Sequence, residues 1–212
     1  MSDSSLPDPP AAGPGPTGGD TYPAGFTLDA PTEVSRWRAL FQWVLAIPQL
    51  IIANALASLG WVIGVVSWFI ILFTGKLPSG LADVQAMILR YNTRAMTYSG
   101  FLYEDYPPFD FNPSSADPGG SPMTQWYEPE LEDRNRVTVA FRFILAIPHM
   151  VLLTLLWIAT MFVWFAAFFA VLFTAKWPDG MRNFVIRVMN YGTKVGAYLG
   201  LLTDKYPPFT LD

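Results

Sequence analysis

Two long stretches without a charged residue constrain what this chain can fold into. Ala39 to Gly75 covers 37 positions, and Phe143 to Ala175 covers 33, in which His149 is the only titratable group. One spanning helix needs about 20 residues, and two crossings of a roughly 30 Å hydrocarbon core need about 40. We therefore expect each stretch to form a tight two-helix transmembrane hairpin, over 37–75 and 137–175. A hairpin that dips into the membrane without crossing it is the alternative.

Within these stretches the sequence suggests where helices turn or bend. Ser58-Leu59-Gly60 is the expected tip of the first hairpin, and Ala159-Thr160 that of the second. Pro48 and Pro148 each remove one backbone hydrogen bond, so we expect helix kinks there.

The composition favours lipid as the solvent for much of the chain. Hydrophobic residues make up 52% and charged residues 14%, against about 25% charged in soluble domains. Cysteine is absent, which excludes disulfides and thiolate chemistry. We find no constellation for a metal, cofactor or catalytic site, and no basic stripe suited to nucleic acid.

The chain repeats itself when it is shifted by 100 residues. Leu45-Ala46-Ile47-Pro48 matches residues 145–148, and 23 of the 76 positions from Arg36 to Phe111 are identical in the second copy. Such a duplication predicts two modules that fold alike. The expected organisation is a disordered Pro/Gly-rich tail (1–21), repeat 1 (22–111), a flexible linker (112–122) and repeat 2 (123–212).

An amphipathic helix is expected after each apolar stretch, over 81–102 and 181–202. Apolar residues recur there at steps of three and four, which places them on one helical face. The helix could lie in the membrane interface or pack on its own hairpin. The stripe comprises Leu81, Val84, Ile88, Tyr91, Ala95, Tyr98 and Leu102, and in the second copy Met181, Phe184, Val188, Tyr191, Val195, Tyr198 and Leu202.

Basic residues flank the apolar stretches, whereas the expected hairpin tips carry none. Positive residues stay cytoplasmic, so we expect a multi-pass plasma-membrane protein with both termini in the cytoplasm. Lys76, Lys176, Arg90 and Arg187 are candidate contacts for lipid headgroups.

Three further features are candidate packing or recognition elements. Gly192, Gly196 and Gly200 form a small-residue ridge suited to helix packing. Tyr106-Pro107-Pro108-Phe109 and Tyr206-Pro207-Pro208-Phe209 close the two modules, and their aromatic residues are a candidate partner epitope. Short β-strands are expected near 26–29, 109–111 and 209–211.

These motifs resemble a known family. Leu-Ala-Ile-Pro, Leu-Phe-Thr-Gly-Lys followed by Pro-x-Gly, and Tyr-Pro-Pro-Phe are similar to the bacterial membrane family termed domain of unknown function 4389, in two tandem copies. Ala175 replaces the family's Gly after Leu-Phe-Thr, and Gln49 replaces the His that often follows Ile-Pro. The resemblance implies a bacterial plasma-membrane protein and implies no activity.

The sequence thus predicts an all-α integral membrane protein: two tandem repeats of a two-helix transmembrane hairpin plus an interfacial amphipathic helix. We expect a non-enzymatic accessory or scaffolding subunit that docks other membrane components. Its partners would be the lipid bilayer and a membrane protein or a second copy of itself. A membrane-shaping hairpin protein and a component of lipid or small-molecule transport are the alternatives.

Overall fold

The computed structural model describes residues 22–211, and the predicted tail lies outside them. The predicted mostly helical, two-copy organisation is confirmed, with six helices and two strands in the described part. The elements are β1 (Ala24–Leu28), α1 (Arg36–Leu45), α2 (Ile47–Thr74), α3 (Ser79–Ser99), β2 (Met123–Tyr127), α4 (Arg136–Ala140), α5 (Arg142–Thr174) and α6 (Asp179–Leu199).

The predicted hairpins are wrong, because each apolar stretch is one long helical rod. Only Ala46 separates α1 from α2, and it keeps helical dihedral angles (φ −77°, ψ −15°). The expected turn at Ser58-Leu59-Gly60 lies inside α2, and Ala159-Thr160 lies inside α5. Gly60 is a packing residue: a Cβ there would stand 3.2 Å from Ile88 of α3. Its missing side chain brings two helices together and turns nothing.

Helices α3 and α6 form a middle layer, so of the two predicted placements they take the packing on their own module's long helix and not the lipid interface. The apolar stripe of α3 faces α2, where Ala53 clusters with Tyr91 and Ala95. The opposite face of α3 is covered by the segment 110–125.

The two strands pair antiparallel, with Phe26 opposite Gln125, and cover the middle layer. β1 overlaps the strand predicted near 26–29, but 109–111 and 209–211 form no strand. Consecutive prolines precede both segments and cannot donate ladder hydrogen bonds. Phe111 instead stacks on Tyr91 of α3, with ring centroids 5.5 Å apart.

The two copies are interlocked through the segments that precede their first helices. Val34 N–H donates to Ala175 O (3.0 Å), and in the mirrored contact Arg134 N–H donates to Gly75 O (3.0 Å). Likewise α1 packs on α5 and α4 packs on α2. The copies therefore share one core and are not two independently packed domains.

The molecule consequently has three layers. The rods α1–α2 and α4–α5 form one outer layer, α3 and α6 cross antiparallel in the middle, and the β-ribbon with segment 112–122 forms the other outer layer. Gln125 marks the centre, since its amide Nε2 lies 2.7 Å from Thr193 Oγ1 and 3.3 Å from Thr93 Oγ1.

Candidate membrane-facing surface and groove

The outer faces of the two rods form a continuous apolar surface. α2 and α5 have a mean hydropathy of 2.3 over their most apolar 18 residues, yet only 17% of that window is buried. Aromatic and aliphatic side chains stand exposed along their whole length, among them Trp61 (66%), Phe73 (78%) and Phe165 (68%). Soluble monomers rarely expose apolar patches above a few hundred Å². By length and composition both helices could cross a bilayer.

One of the four cations predicted to contact lipid headgroups, Arg90, instead faces the opposite layer. Arg90 is buried (1% exposed) and donates to the carbonyls of Ser114 and Ala116 at 3.0 and 3.1 Å. Arg94 forms an ion pair with Asp117 at 2.5 Å. Burial, helped by the positive charge of Arg94, lowers the pKa of Arg90. The headgroup role of Arg90 is therefore wrong, because these bonds tie the predicted linker to α3 and occupy the guanidinium.

The other candidate headgroup residues are on the surface. Lys176 and Arg187 are exposed. Lys76 is also exposed and lies 3.1 Å from Glu132. Contact of these three cations with lipid stays a prediction.

A carboxylate at the end of each module holds the start of the first helix of the same copy. Asp204 accepts from Arg134 (2.6 Å), from Arg142 and from the Asn135 N–H (2.8 Å). Burial alone would raise the pKa of Asp204, but the hydrogen bonds and charges of Arg134, the Asn135 amide and Arg142 more than offset it and lower the pKa. Glu104 is the counterpart; it accepts from Ser35 N–H and lies 3.8 Å from Arg38.

The Tyr-Pro-Pro-Phe segments pack against the rods at the residues that follow Pro48 and Pro148. His149 is fully buried, and its Nδ1 lies 2.6 Å from the Tyr191 hydroxyl. Its ring stacks on Phe209 at 4.1 Å and contacts Tyr206 at 4.5 Å. In the first copy, Gln49 Nε2 donates to Pro107 O (2.9 Å).

The four candidate epitope aromatics therefore lie at two related corners of the molecule. Tyr106, Phe109, Tyr206 and Phe209 are each 42–55% exposed, so part of each residue is open to a partner or to lipid.

The prolines have different surroundings in the two copies. Pro48 is the second residue of α2, two positions after Ala46, the single residue that separates α1 from α2. Pro148 lies inside α5, and the single residue that separates α4 from α5 is Phe141, seven positions earlier.

A groove of about 560 Å³ opens between α2, α3, the C-terminal end of α6 and the start of α5, where Arg142 and Phe143 line it. Small residues create the space: Gly60 and Gly64 on α2, and Gly196 and Gly200 on or just after α6. At its base lies Gln85, which is 8% exposed and whose amide oxygen Oε1 finds no hydrogen-bond partner within residues 22–211.

Two of the three glycines in the predicted ridge thus line the groove. A Cβ on Gly196 would lie 3.6 Å from Leu89, and one on Gly200 would lie 3.2 Å from Gln85, both on α3. Gly192 instead faces Leu153 of α5. Sequence reasoning missed the groove itself. The available signal was the exchange of Ala57, Gly60 and Gly64 for Trp157, Thr160 and Trp164 between the copies.

Comparison with known proteins shows which family the repeated domain matches. The model of the family described as Domain of unknown function (DUF4389) matches residues 36–110 and again 136–210. Neither the curated proteins nor the solved structures give a match. The two matched ranges coincide with the two interlocked modules and contain the rods, the middle layer and the terminal Tyr-Pro-Pro-Phe segments. The chain therefore belongs to the DUF4389 family and carries two copies of its domain.

Proposed function

We propose that this chain is a non-enzymatic membrane protein whose rods lie along one leaflet, and that it serves as a docking platform for other membrane components. The observation that most strongly supports this proposal is that apolar side chains are exposed along one side of the molecule, on the α1–α2 and α4–α5 rods. In the opposite layer, residues 118–120 are exposed, and the rods carry no charged residue over 39–75 and 143–175.

The dimensions favour this arrangement over the crossings expected from composition. Counted through Ala46 and Phe141, each rod has 39 residues, 36–74 and 136–174, which is a contour length of about 58 Å. At the limiting tilt of about 40°, a rod of that length would cover about 44 Å, beyond the roughly 30 Å core, whereas the 28 residues of α2 alone would cover about 32 Å. A crossing would therefore have to use α2 without α1 and leave the exposed Phe41 and Trp43 of α1 outside the core.

The ribbon supplies a second argument. It lies over the centre of the middle layer, so upright rods would place it and the exposed residues 118–120 at mid-bilayer depth. Irregular backbone and open sheet edges are not tolerated against lipid. Rods that lie flat keep the ribbon in water, and all ends of both rods then share one side of the membrane.

Depth measurements test this placement. The chain has no cysteine, so single spin-labelled cysteines at Ile47, Val62 and Phe73 report three points along one exposed face of α2. Flat rods give similar depths at all three. A crossing rod puts Val62 deepest and the other two near opposite headgroup layers. Impermeant maleimide adds a check with cysteines at Glu33 and Ser79, which label from the same side if the rods lie flat and from opposite sides if they cross.

The docking role is supported by the two exposed aromatic corners, which related positions in the two copies present twice. A photo-crosslinking residue at Phe109 or Phe209, with one at Val62 as the control, tests it in native membranes. We expect a discrete protein adduct at the corners and only lipid adducts at Val62. Lipid adducts alone at all three sites would contradict docking.

Membrane shaping is the second candidate, and the one-sided rods favour it. Two apolar rods that lie side by side in the plane of the membrane would add volume to one leaflet only. Reconstitution into large vesicles at increasing protein density should then produce tubules or small vesicles. Unchanged vesicle size at high density would leave docking as the sole proposal.

A further inference from the structure

The groove beside α2 is built to hold a hydrocarbon chain. Its lining is mostly apolar, with Gln85, Asn92 and Arg142 as the polar members, and its volume of about 560 Å³ falls within the roughly 300–1,000 Å³ of small-molecule sites. Its rim includes Trp61 (66% exposed), Val65 and Phe69 (both 50%), which belong to the apolar outer surface of α2. A chain in the surrounding lipid therefore reaches the groove sideways without crossing water.

The duplication shows what fills such a space. At the equivalent place in the second copy, Trp164 and Trp157 stand where the first copy has Gly64 and Ala57. Indole atoms of Trp164 lie within 2.8 Å of where a Cβ on Gly100 would stand, and the two tryptophan rings are 6.0 Å apart. The second copy thus fills with its own side chains the volume that the first copy leaves open.

The polar group in the groove follows the same division. Within residues 22–211, the amide oxygen of Gln85 is buried and unpaired, whereas its counterpart Val185 is fully buried and apolar. The second copy has its own unpaired buried polar atoms here, Thr160 Oγ1 and Trp164 Nε1, but no open volume from which a ligand could reach them. A buried acceptor without a partner keeps the full cost of its lost hydration. A ligand that donates a hydrogen bond would remove that cost, and a purely hydrocarbon filling would not.

We propose that the groove binds a single-chain lipid, with its hydrocarbon between α2, α3 and Gly196–Gly200 and a hydroxyl-bearing end hydrogen-bonded to Gln85. The inference rests on the proposed membrane placement only for the source of the ligand. The binding site itself stands on the groove, the unpaired amide and the filled counterpart.

Two substitutions copied from the second module test the proposal. Gly64→Trp fills the groove, and no heavy atom lies within 4 Å of a Cβ at Gly64, so the helix accepts a side chain there. Gly64→Leu is the milder version in case tryptophan impairs folding, and circular dichroism checks both. Gln85→Val keeps the space and removes the amide.

The probe is a monoacylglycerol with a diazirine in its chain, photolysed with the full-length protein in vesicles and mapped by peptide mass spectrometry. Leu89 reports the groove, and the outward Val62 reports ordinary contact with lipid. We expect Leu89 labelling in the wild type, at least a tenfold loss in the Gly64 variants, and a severalfold loss in Gln85→Val. A diazirine fatty acid methyl ester, which has no donor, should label wild type and Gln85→Val equally.

The outcomes separate this inference from the membrane placement. Labelling of Val62 without Leu89, or Leu89 labelling that Gly64→Trp and Gly64→Leu leave unchanged, overturns the groove site while the placement stands. Labelling of Leu89 without Val62 overturns the placement while the groove site stands. If Gln85→Val labels as strongly as the wild type with monoacylglycerol, the assigned polar contact is wrong.

Discussion

The first module and the second share a backbone plan but distribute their side chains differently around it. Beside α2 the first module has Gly60, Gly64 and Gln85 and an open groove. At the equivalent place the second has Thr160, Trp164 and Val185 and a filled core. The duplication therefore provides an internal control: the second module shows how the fold packs when the volume serves stability, and the first shows what changes when it is left open.

The largest expected difference between the modules concerns their terminal carboxylates. Asp204 joins two buried arginines, whereas Glu104 has one weaker ionic contact at 3.8 Å. Removing one partner of a buried pair costs about 3–5 kcal/mol, because the other charge stays buried without compensation. We expect Asp204→Ala to lower the free energy of unfolding by about that amount in mixed micelles. Glu104→Ala should cost clearly less, and equal losses would contradict the comparison.

Acid should act through the same carboxylate. The pKa of Asp204 is lowered in the folded protein, so the unfolded state binds more protons between the two pKa values. The contribution of Asp204 is therefore complete above its ordinary value of 3.8 and is lost as the pH falls below that through the folded pKa. Unfolding at a series of pH values between 6 and 2 should show this loss in the wild type and in Glu104→Gln, and a flatter profile in Asp204→Asn.

Shortening Trp164, which fills the second module's counterpart of the groove, should make that site resemble the open site of the first module. Trp164→Ala removes an indole from the core, and such changes cost about 3–5 kcal/mol when fully buried. Trp164 is partly exposed, so we expect the lower end of that range. Phe162→Ala is the matched control, since Phe162 is 66% exposed on the outer face. A loss no larger than the control's would mean that Trp164 does not fill a space.

How much the sequence predicts also differs between regions. The repeat predicted the two modules because 23 aligned identities survive in it, and periodicity identified the stripes of α3 and α6. Sequence reasoning failed for the rods, because the length of each apolar stretch was taken to indicate two short helices where the chain forms one long rod. Gly60 looks alike in sequence whether it turns a chain or admits Ile88, and only the tertiary contact distinguishes the two.

The burial of Arg90 could not be predicted from the sequence for a similar reason. Its partners are the backbone carbonyls of Ser114 and Ala116. Every residue has a backbone carbonyl, so the residue type does not indicate which one will accept a hydrogen bond. Pairing between copies, such as Val34 with Ala175, is likewise a product of topology and not of local pattern. The groove combines both difficulties, because four glycines from two modules must meet before a space exists.

A smaller difference lies in the turn after each rod. Gly75 and Ala175 both adopt the left-handed conformation, with φ of 71° and 57°. Alanine pays a steric cost there that glycine does not, partly offset by the greater freedom of glycine in the unfolded chain. We expect Ala175→Gly to raise the free energy of unfolding by about 0.5–1 kcal/mol and Gly75→Ala to lower it by at least as much. Chemical unfolding of the two variants checks this, and a destabilising Ala175→Gly would contradict it.

The smallest effect is expected at the surface pair Lys76 and Glu132. Their side chains are 62% and 69% exposed, so water and salt screen the 3.1 Å contact. A double-mutant cycle of Lys76→Ala and Glu132→Ala should give a coupling energy of about 0.2–1 kcal/mol that falls as salt is added. A coupling well above this range would mean that the pair is shielded from water. Because Lys76 follows the end of α2, such shielding would place that end of the rod deeper in the membrane than a flat orientation allows.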